Sequence, residues 1–204
     1  MRARQWGMAE PSPDKPEKKA DSKPSSGSVS QDDGHIWFYK DVTQESIHEL
    51  VSNLHKAVIE RRTTAIKLGL DEPLPIHLHI HSYGGSVFAG FAAADAILKC
   101  PVPVHTHIEG GAASAATLFS VAGAHRTIGT FSFVLIHQLS SVLWGKYEEL
   151  KDEMTNNDLL MAQIRALYAR CTRMTVEQIA DILKHDLWFD AAKALEAGLV
   201  DEVR

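Results

Sequence analysis

Apolar residues recur along this chain in two periods, and their alternation outlines an architecture before any side-chain chemistry is considered. Ile36-Trp37-Phe38-Tyr39 opens the periodic part as a strand. Ile47, Leu50, Val51, Leu54 and Val58 follow at helical spacing, with Asp41 or Thr43 placed to cap that helix. From 76 to 81 aliphatic residues alternate with His77, His79 and His81, a period of two that predicts a strand. The pattern breaks at Ser82-Tyr83-Gly84-Gly85-Ser86, after which Phe88, Phe91, Ala92, Ile97 and Leu98 predict a helix. Residues 102–108 read as a strand, 114–123 as a helix and 131–137 as a strand. Strands alternating with helices through glycine-rich turns predict an α/β layered fold with mainly parallel strands. Ligand sites in such folds lie at the carboxyl ends of strands. Gly84-Gly85, Ser114 and His137 each fall at the carboxyl end of a predicted strand or just beyond it.

Beyond His137 the period lengthens. Tyr147, Leu150, Met154, Asn157, Met161, Ile164 and Tyr168 step by three and four along one long helix, residues 144–171. Its length for so small a domain, with Asn157 interrupting the stripe, predicts a projecting helix that self-associates. Thr175-Val176-Glu177-Gln178 has capping-box form and opens a short helix. The chain then passes Asp186 and Leu187-Trp188-Phe189, and closes with an Asp190-capped helix ending at Gly198 and a final strand, Leu199-Val200.

Composition divides the chain in two. Residues 1–34 hold four of the eight prolines (Pro11, Pro13, Pro16, Pro24) with repeated Ser and Lys, and too few apolar residues after Met8 to offset the entropy of ordering. They are expected to be disordered, and residues 35–204 to form one globular domain. The net charge of −5 gives no electrostatic reason to expect nucleic acid or an anionic membrane as partner. The most apolar run, residues 112–124, is shorter than the ~20 residues that span a bilayer. Cys100 and Cys171 form no C-x-x-C pair, which fits a reducing compartment, and the expectation is a cytoplasmic protein.

Ser114 stands in Gly110-Gly111-Ala112-Ala113-Ser114, where small neighbours leave its hydroxyl unguarded at the start of a helix. A nucleophile needs that access, and a main-chain N–H at the helix start can stabilise an oxyanion. An N-cap serine in a tight turn has the same local pattern. Four motifs in order separate the two: Ser82-Tyr83-Gly84-Gly85-Ser86-Val87, Gly110 to Ser114, Val134-Leu135-Ile136-His137-Gln138, and Ala197-Gly198-Leu199-Val200-Asp201. Together they resemble the successive motifs of the Clp protease proteolytic subunit family, ClpP, over residues 36–204. The resemblance implies a ClpP/crotonase-like fold of repeated β-β-α units with a projecting long helix. It also implies a serine peptidase that needs no cofactor, takes peptide or unfolded protein, and assembles as a homo-oligomer of seven or fourteen subunits. Position by position it places the nucleophile at Ser114, the base at His137 and a buried acid at Asp186. The oxyanion donors fall at the backbone N–H groups of Gly85 and Ala115. A base is required because a serine hydroxyl is a poor nucleophile until its proton is removed, and imidazole titrates near neutrality. Ser114 and His137 lie 23 residues apart, two fewer than the family interval, which places a deletion around 126–131.

Three departures accompany the resemblance. Tyr83 replaces the usual proline before Gly84-Gly85. His77 and His79 replace tyrosines of an apolar pocket where the family's ATPase unfoldase docks, and the ordered N-terminal segment of the family is not recognisable in residues 1–35. They weigh against partnership with a standard unfoldase. His77, His79 and His81 share one strand face with a spacing of ~6.5–7 Å, too wide for all three to bind one ion. His105 and His107 could add ligands from a neighbouring strand, but the expected reading is structural histidines and no metal. Two alternatives from other classes remain open: a crotonase-type enzyme acting on an acyl-CoA thioester, and a non-catalytic ring subunit with a misaligned triad.

Overall fold

The computed structural model describes residues 29–204. β1 (Val29–Asp32) and β2 (His35–Phe38) pair antiparallel across Asp33-Gly34, whose φ angles of 39° and 72° suit a tight hairpin turn. Residues 29–34 therefore form a strand and its turn, although they belong to the stretch expected to be disordered. The Asp-Gly turn signal supplies the reason. The rest of that stretch, residues 1–28, lies outside the described residues.

α1 (Gln44–Leu68) is capped by Thr43, not Asp41. The Thr43 hydroxyl accepts from the Ser46 N–H at 3.0 Å, and the Ser46 hydroxyl accepts from the Thr43 N–H at 3.0 Å. β3 (Ile76–Ser82), α2 (Val87–Leu98) and β4 (Val104–Ala113) follow, then α3 (Ala115–Ser120), β5 (His125–Ile128) and β6 (Phe133–Leu135). α4 (Tyr147–Cys171), α5 (Val176–Ile182), β7 (Trp188–Phe189), α6 (Ala191–Glu196) and β8 (Glu202–Val203) complete the chain. The sheet runs β1-β2-β3-β4-β5-β8 and is parallel from β2 onward. The apolar phase of the central strands (Ile36, Phe38, Ile76, Leu78, Ile80, Val104, Ile108) forms one core with Leu50 and Leu54 of α1, Ala93 and Ile97 of α2, and Leu118 and Phe119 of α3. Phe38 and Phe119 meet edge to face with centroids 5.2 Å apart.

Several expected boundaries move. The strand expected at 102–108 continues to Ala113 because Gly110, at φ 75°, lets the chain bend and change partners. Before the bend, residues 105–108 of β4 pair with β5; after it, residues 111–113 pair with β6. α3 occupies only Ala115–Ser120 of the expected 114–123. β5 and β7 have no counterpart in the expected elements. The last strand is Glu202–Val203, while Leu199 and Val200 are buried in the turn before it. That turn is held by Arg126 of β5, which makes a two-pronged bond to Asp201 (Nε to Oδ2 2.9 Å, Nη2 to Oδ1 2.6 Å) and donates to the Gly198 carbonyl at 3.0 Å. The stripe on α4 is uncovered only toward its N-terminal end: Tyr147 is 70% and Met154 51% exposed, Leu150, Asn157 and Met161 are half-buried, and Ile164 and Tyr168 are buried. Among the described residues no helix is long and apolar enough to cross a membrane.

Candidate active site

Ser114 links β4 to α3 with φ 54° and ψ −129°, a combination that a side chain disfavours and that surrounding bonds must impose. Its N–H donates to the Leu135 carbonyl of β6 at 2.9 Å. Its carbonyl accepts from the Thr117 N–H at 3.0 Å and from the Thr117 hydroxyl at 2.6 Å. The result is a sharp strand-to-helix elbow of the kind that presents a serine hydroxyl to a cleft. Gly84, at φ 99°, packs against this elbow so closely that a Cβ there would lie 2.6 Å from Ser114 Cβ and 2.7 Å from the Ala113 carbonyl oxygen.

Gly85 sits in an isolated parallel bridge with Val42. Val42 donates to the Gly84 carbonyl and accepts from the Ser86 N–H, both at 2.8 Å. In a parallel bridge the flanking residues make the bonds, so Gly85's own N–H points the other way. Among the described residues neither the Gly85 N–H nor the Ala115 N–H meets an acceptor, and both residues line the cavity that contains Ser114.

His137 lies two residues past β6, and Asp186 two residues before β7. The two strands pair antiparallel with Leu135 opposite Trp188, and the same register carried two places further sets His137 opposite Asp186. Their side chains meet with Nδ1 3.5 Å from Oδ1, an ion-pair distance longer than a good hydrogen bond. The carboxylate expected to be buried is 80% exposed, because β7 is two residues long and residues 184–187 cross the surface before it. Ser114 and His137 line one cavity of about 320 Å³, with Val87, Leu118, Leu139, Ile164 and Tyr168 as its apolar wall. No hydrogen bond joins Ser114 Oγ to His137 among the described residues. The contribution of Thr117 and Tyr168 was hidden in the sequence, where Tyr168 is one more member of the α4 stripe; only the packing of α4 on α3 brings its phenol to Thr117, at 2.5 Å.

The strand histidines form a ladder on the sheet face opposite the aliphatic core. Strand register aligns His35, His77, His105 and His125 in one row, and Trp37, His79, His107 and Thr127 in the next. Ring nitrogens are spent on neighbours. His35 Nδ1 meets His79 Nε2 at 3.0 Å, His77 Nδ1 meets His107 Nε2 at 2.9 Å, His107 Nδ1 meets Thr127 Oγ1 at 2.7 Å, and His79 Nδ1 meets Glu109 Oε1 at 2.7 Å. Burial, reinforced by neighbouring imidazoles, holds His77 down at about 4 and His107 at about 3, and lowers His35 and His105 as well. These rings are neutral at pH 7, and a neutral imidazole is able to ligate a metal. Even so, no three His, Cys, Asp or Glu side chains converge as a metal site among the described residues.

Comparison with known proteins identifies the family and the fold. The family model described as Clp protease matches residues 28–204. The ATP-dependent Clp protease proteolytic subunit 3 of Rhodococcus jostii is 32% identical over 158 residues, covering 76% of this chain and 78% of the relative. Subunit 1 from Leifsonia xyli subsp. xyli is 29% identical over 171 residues, covering 83% and 82%. Among solved structures, a ClpP1 mutant from Listeria monocytogenes superposes with a TM-score of 0.70 at 23% identity, over 83% of this chain and 90% of that one. The fold is thus shared with that structure, and the chain is a divergent member of the Clp protease family, a family of peptidases.

Proposed function

We propose that this chain is a serine endopeptidase in which Ser114 is the nucleophile, His137 the general base and Asp186 the group that orients the imidazole. The observation that carries the reading is the strained elbow at Ser114, which shares one cavity with His137 while Asp186 stands opposite His137. Ser114 Oγ attacks the scissile carbonyl as its proton passes to His137 Nε2. The oxyanion is met by the Gly85 and Ala115 N–H groups. Collapse breaks the C–N bond, the leaving amine takes the proton from His137, and an acyl-enzyme remains. Water, deprotonated by His137, then releases the acid. Hydrogen bonds of such triads are often long in the empty enzyme and shorten around substrate. The apolar wall of the cavity suits an aliphatic or aromatic side chain ahead of the scissile bond. The strand edge at Gly84-Gly85 suits an extended peptide bound through its main chain.

The exposed Tyr147 and Met154 at the N-terminal end of the α4 stripe support assembly into a homo-oligomeric ring, as the family resemblance implies. Polar His77 and His79, where that resemblance expects tyrosines, support action on peptides or unfolded chains without a standard ATPase unfoldase. A fluorophosphonate probe tests the chemistry: wild-type protein is labelled at Ser114, and Ser114→Ala loses both labelling and peptidase activity. An unlabelled wild type, under conditions that label a known serine peptidase, overturns the reading. The open Ser114–His137 pair favours a non-catalytic ring subunit as the second reading, and that result would leave it standing. Light scattering that finds only monomer at micromolar concentration would remove the ring.

A further inference from the structure

The geometry points to Thr117 and Tyr168 as positioning residues that hold and polarise the peptide group carrying the Ala115 N–H, the second oxyanion donor. The inference rests on the serine-peptidase reading above. Ser114 C=O and Ala115 N–H belong to one amide, so what binds the carbonyl also orients and strengthens the N–H on its other side. Thr117 Oγ1 lies 2.6 Å from the Ser114 carbonyl oxygen and 2.5 Å from Tyr168 Oη. A carbonyl only accepts, and a threonine hydroxyl has one hydrogen, so Thr117 donates to Ser114 and Tyr168 donates to Thr117. Every hydroxyl is then satisfied in a run from Tyr168 Oη through Thr117 Oγ1 and the Ser114 carbonyl to the Ala115 N–H.

Burial makes this arrangement consequential. Thr117 is fully buried and Tyr168 is 2% exposed, so water does not replace a lost link cheaply. Burial also pushes the Tyr168 phenol well above its ordinary range, against the smaller opposing effect of its bond to Thr117, so it stays protonated and keeps donating. Successive hydrogen bonds in a low-dielectric interior polarise one another, and an amide whose carbonyl accepts strongly is a better donor at its N–H. The same bonds keep Ser114 at φ 54°, from the side opposite its N–H link to Leu135. Both side chains act through the amide and touch no reacting atom.

The test is steady-state hydrolysis of a fluorogenic peptide by the full chain and four variants. Thr117→Val keeps the shape and removes the hydroxyl, and loses about 10-fold in kcat with KM within about twofold, less than the ~10²–10³ of removing an oxyanion donor outright. Tyr168→Phe loses about threefold in kcat. The double variant is no slower than Thr117→Val, because one run of bonds is cut once. Thr117→Ser stays within about twofold of wild type, since the hydroxyl returns. A folded Thr117→Val with wild-type kcat, a loss confined to KM, or multiplying losses in the double variant each overturn the inference. Should Thr117→Val fail to fold, an unchanged kcat in Tyr168→Phe overturns it instead. A wild type that neither hydrolyses peptide nor takes the fluorophosphonate overturns the peptidase reading and this inference with it, whereas active wild type with an equally active Thr117→Val overturns this inference alone.

Discussion

Replacing Gly84 by alanine separates backbone strain from disruption of the elbow, because Gly69 provides a matched control. Both are positive-φ glycines, 99° at Gly84 and 66° at Gly69. A Cβ at Gly69 meets nothing within 4 Å, so Gly69→Ala costs only the left-handed strain, about 1 kcal/mol. A Cβ at Gly84 would be 2.6 Å from Ser114 Cβ, 2.7 Å from the Ala113 carbonyl oxygen and 3.0 Å from the Ala115 nitrogen, so the elbow must retreat by about 0.8 Å to reach an ordinary contact. Displacement on the order of 1 Å costs a catalytic site ~10²-fold, and the backbone collision adds roughly 1–3 kcal/mol to the strain. The expected outcome is a ~10²-fold loss of kcat/KM and of fluorophosphonate labelling rate in Gly84→Ala, with Tm lowered by about 5–10 °C. Gly69→Ala should lower Tm by about 2–4 °C and leave labelling unchanged. Labelling of Gly84→Ala within about threefold of wild type would refute the claim that Gly84 is glycine to admit the elbow.

Further outcomes follow from the same contacts. Because His77 and His107 are depressed to about 4 and 3, the unfolded chain binds their protons near pH 6.5 and the folded chain does not. Their share of stability is present above pH 6.5 and is lost as pH falls toward 4, at about 1.4 kcal/mol per pH unit for each ring still neutral. Thermal melts between pH 7 and 4 should show this slope, and a slope unchanged in His107→Gln would refute it. Asp201, held below the ordinary carboxylate range chiefly by the Arg126 hydrogen bond, adds stability that is lost only as pH falls below about 4. Asp201→Asn should cost about 2 kcal/mol in urea unfolding at pH 7, short of the ~3–5 kcal/mol of a fully buried pair because the carboxylate keeps 29% exposure. Thr43→Ala removes the cap of α1 and should cost about 1 kcal/mol by the same assay, with fluorophosphonate labelling retained.

What was legible in the sequence was local. The period of two at residues 76–81 and the period near 3.6 from Ile47 to Val58 appear as β3 and α1, because burial of one face imposes those periods wherever the element lies. The elbow at Ser114 was legible for a similar reason: small residues flank a place where two backbones must approach closely. β5 and β7 escaped notice because four- and two-residue strands leave too few positions for a period to show. The strand read over residues 102–108 stops short of Gly110 and Gly111, yet they are where β4 bends and passes from β5 to β6.

The relations across the sheet were decided only by tertiary structure. Alternating histidines were plain in β3, but the ladder they form with His35, His105, His107 and His125 depends on the register of four strands, which no single strand encodes. Asp186 meets His137 because β6 and β7 pair with Leu135 opposite Trp188, and its exposure follows from how short that pairing is. Tyr168 reaches Thr117 only because α4 packs on α3. By itself the sequence determined the elements, the elbow and the residue types available for chemistry, since those follow from steric and hydrophobic demands a few residues long. Which side chains meet was left to the tertiary structure, because it depends on strand register and helix packing between residues far apart in the chain.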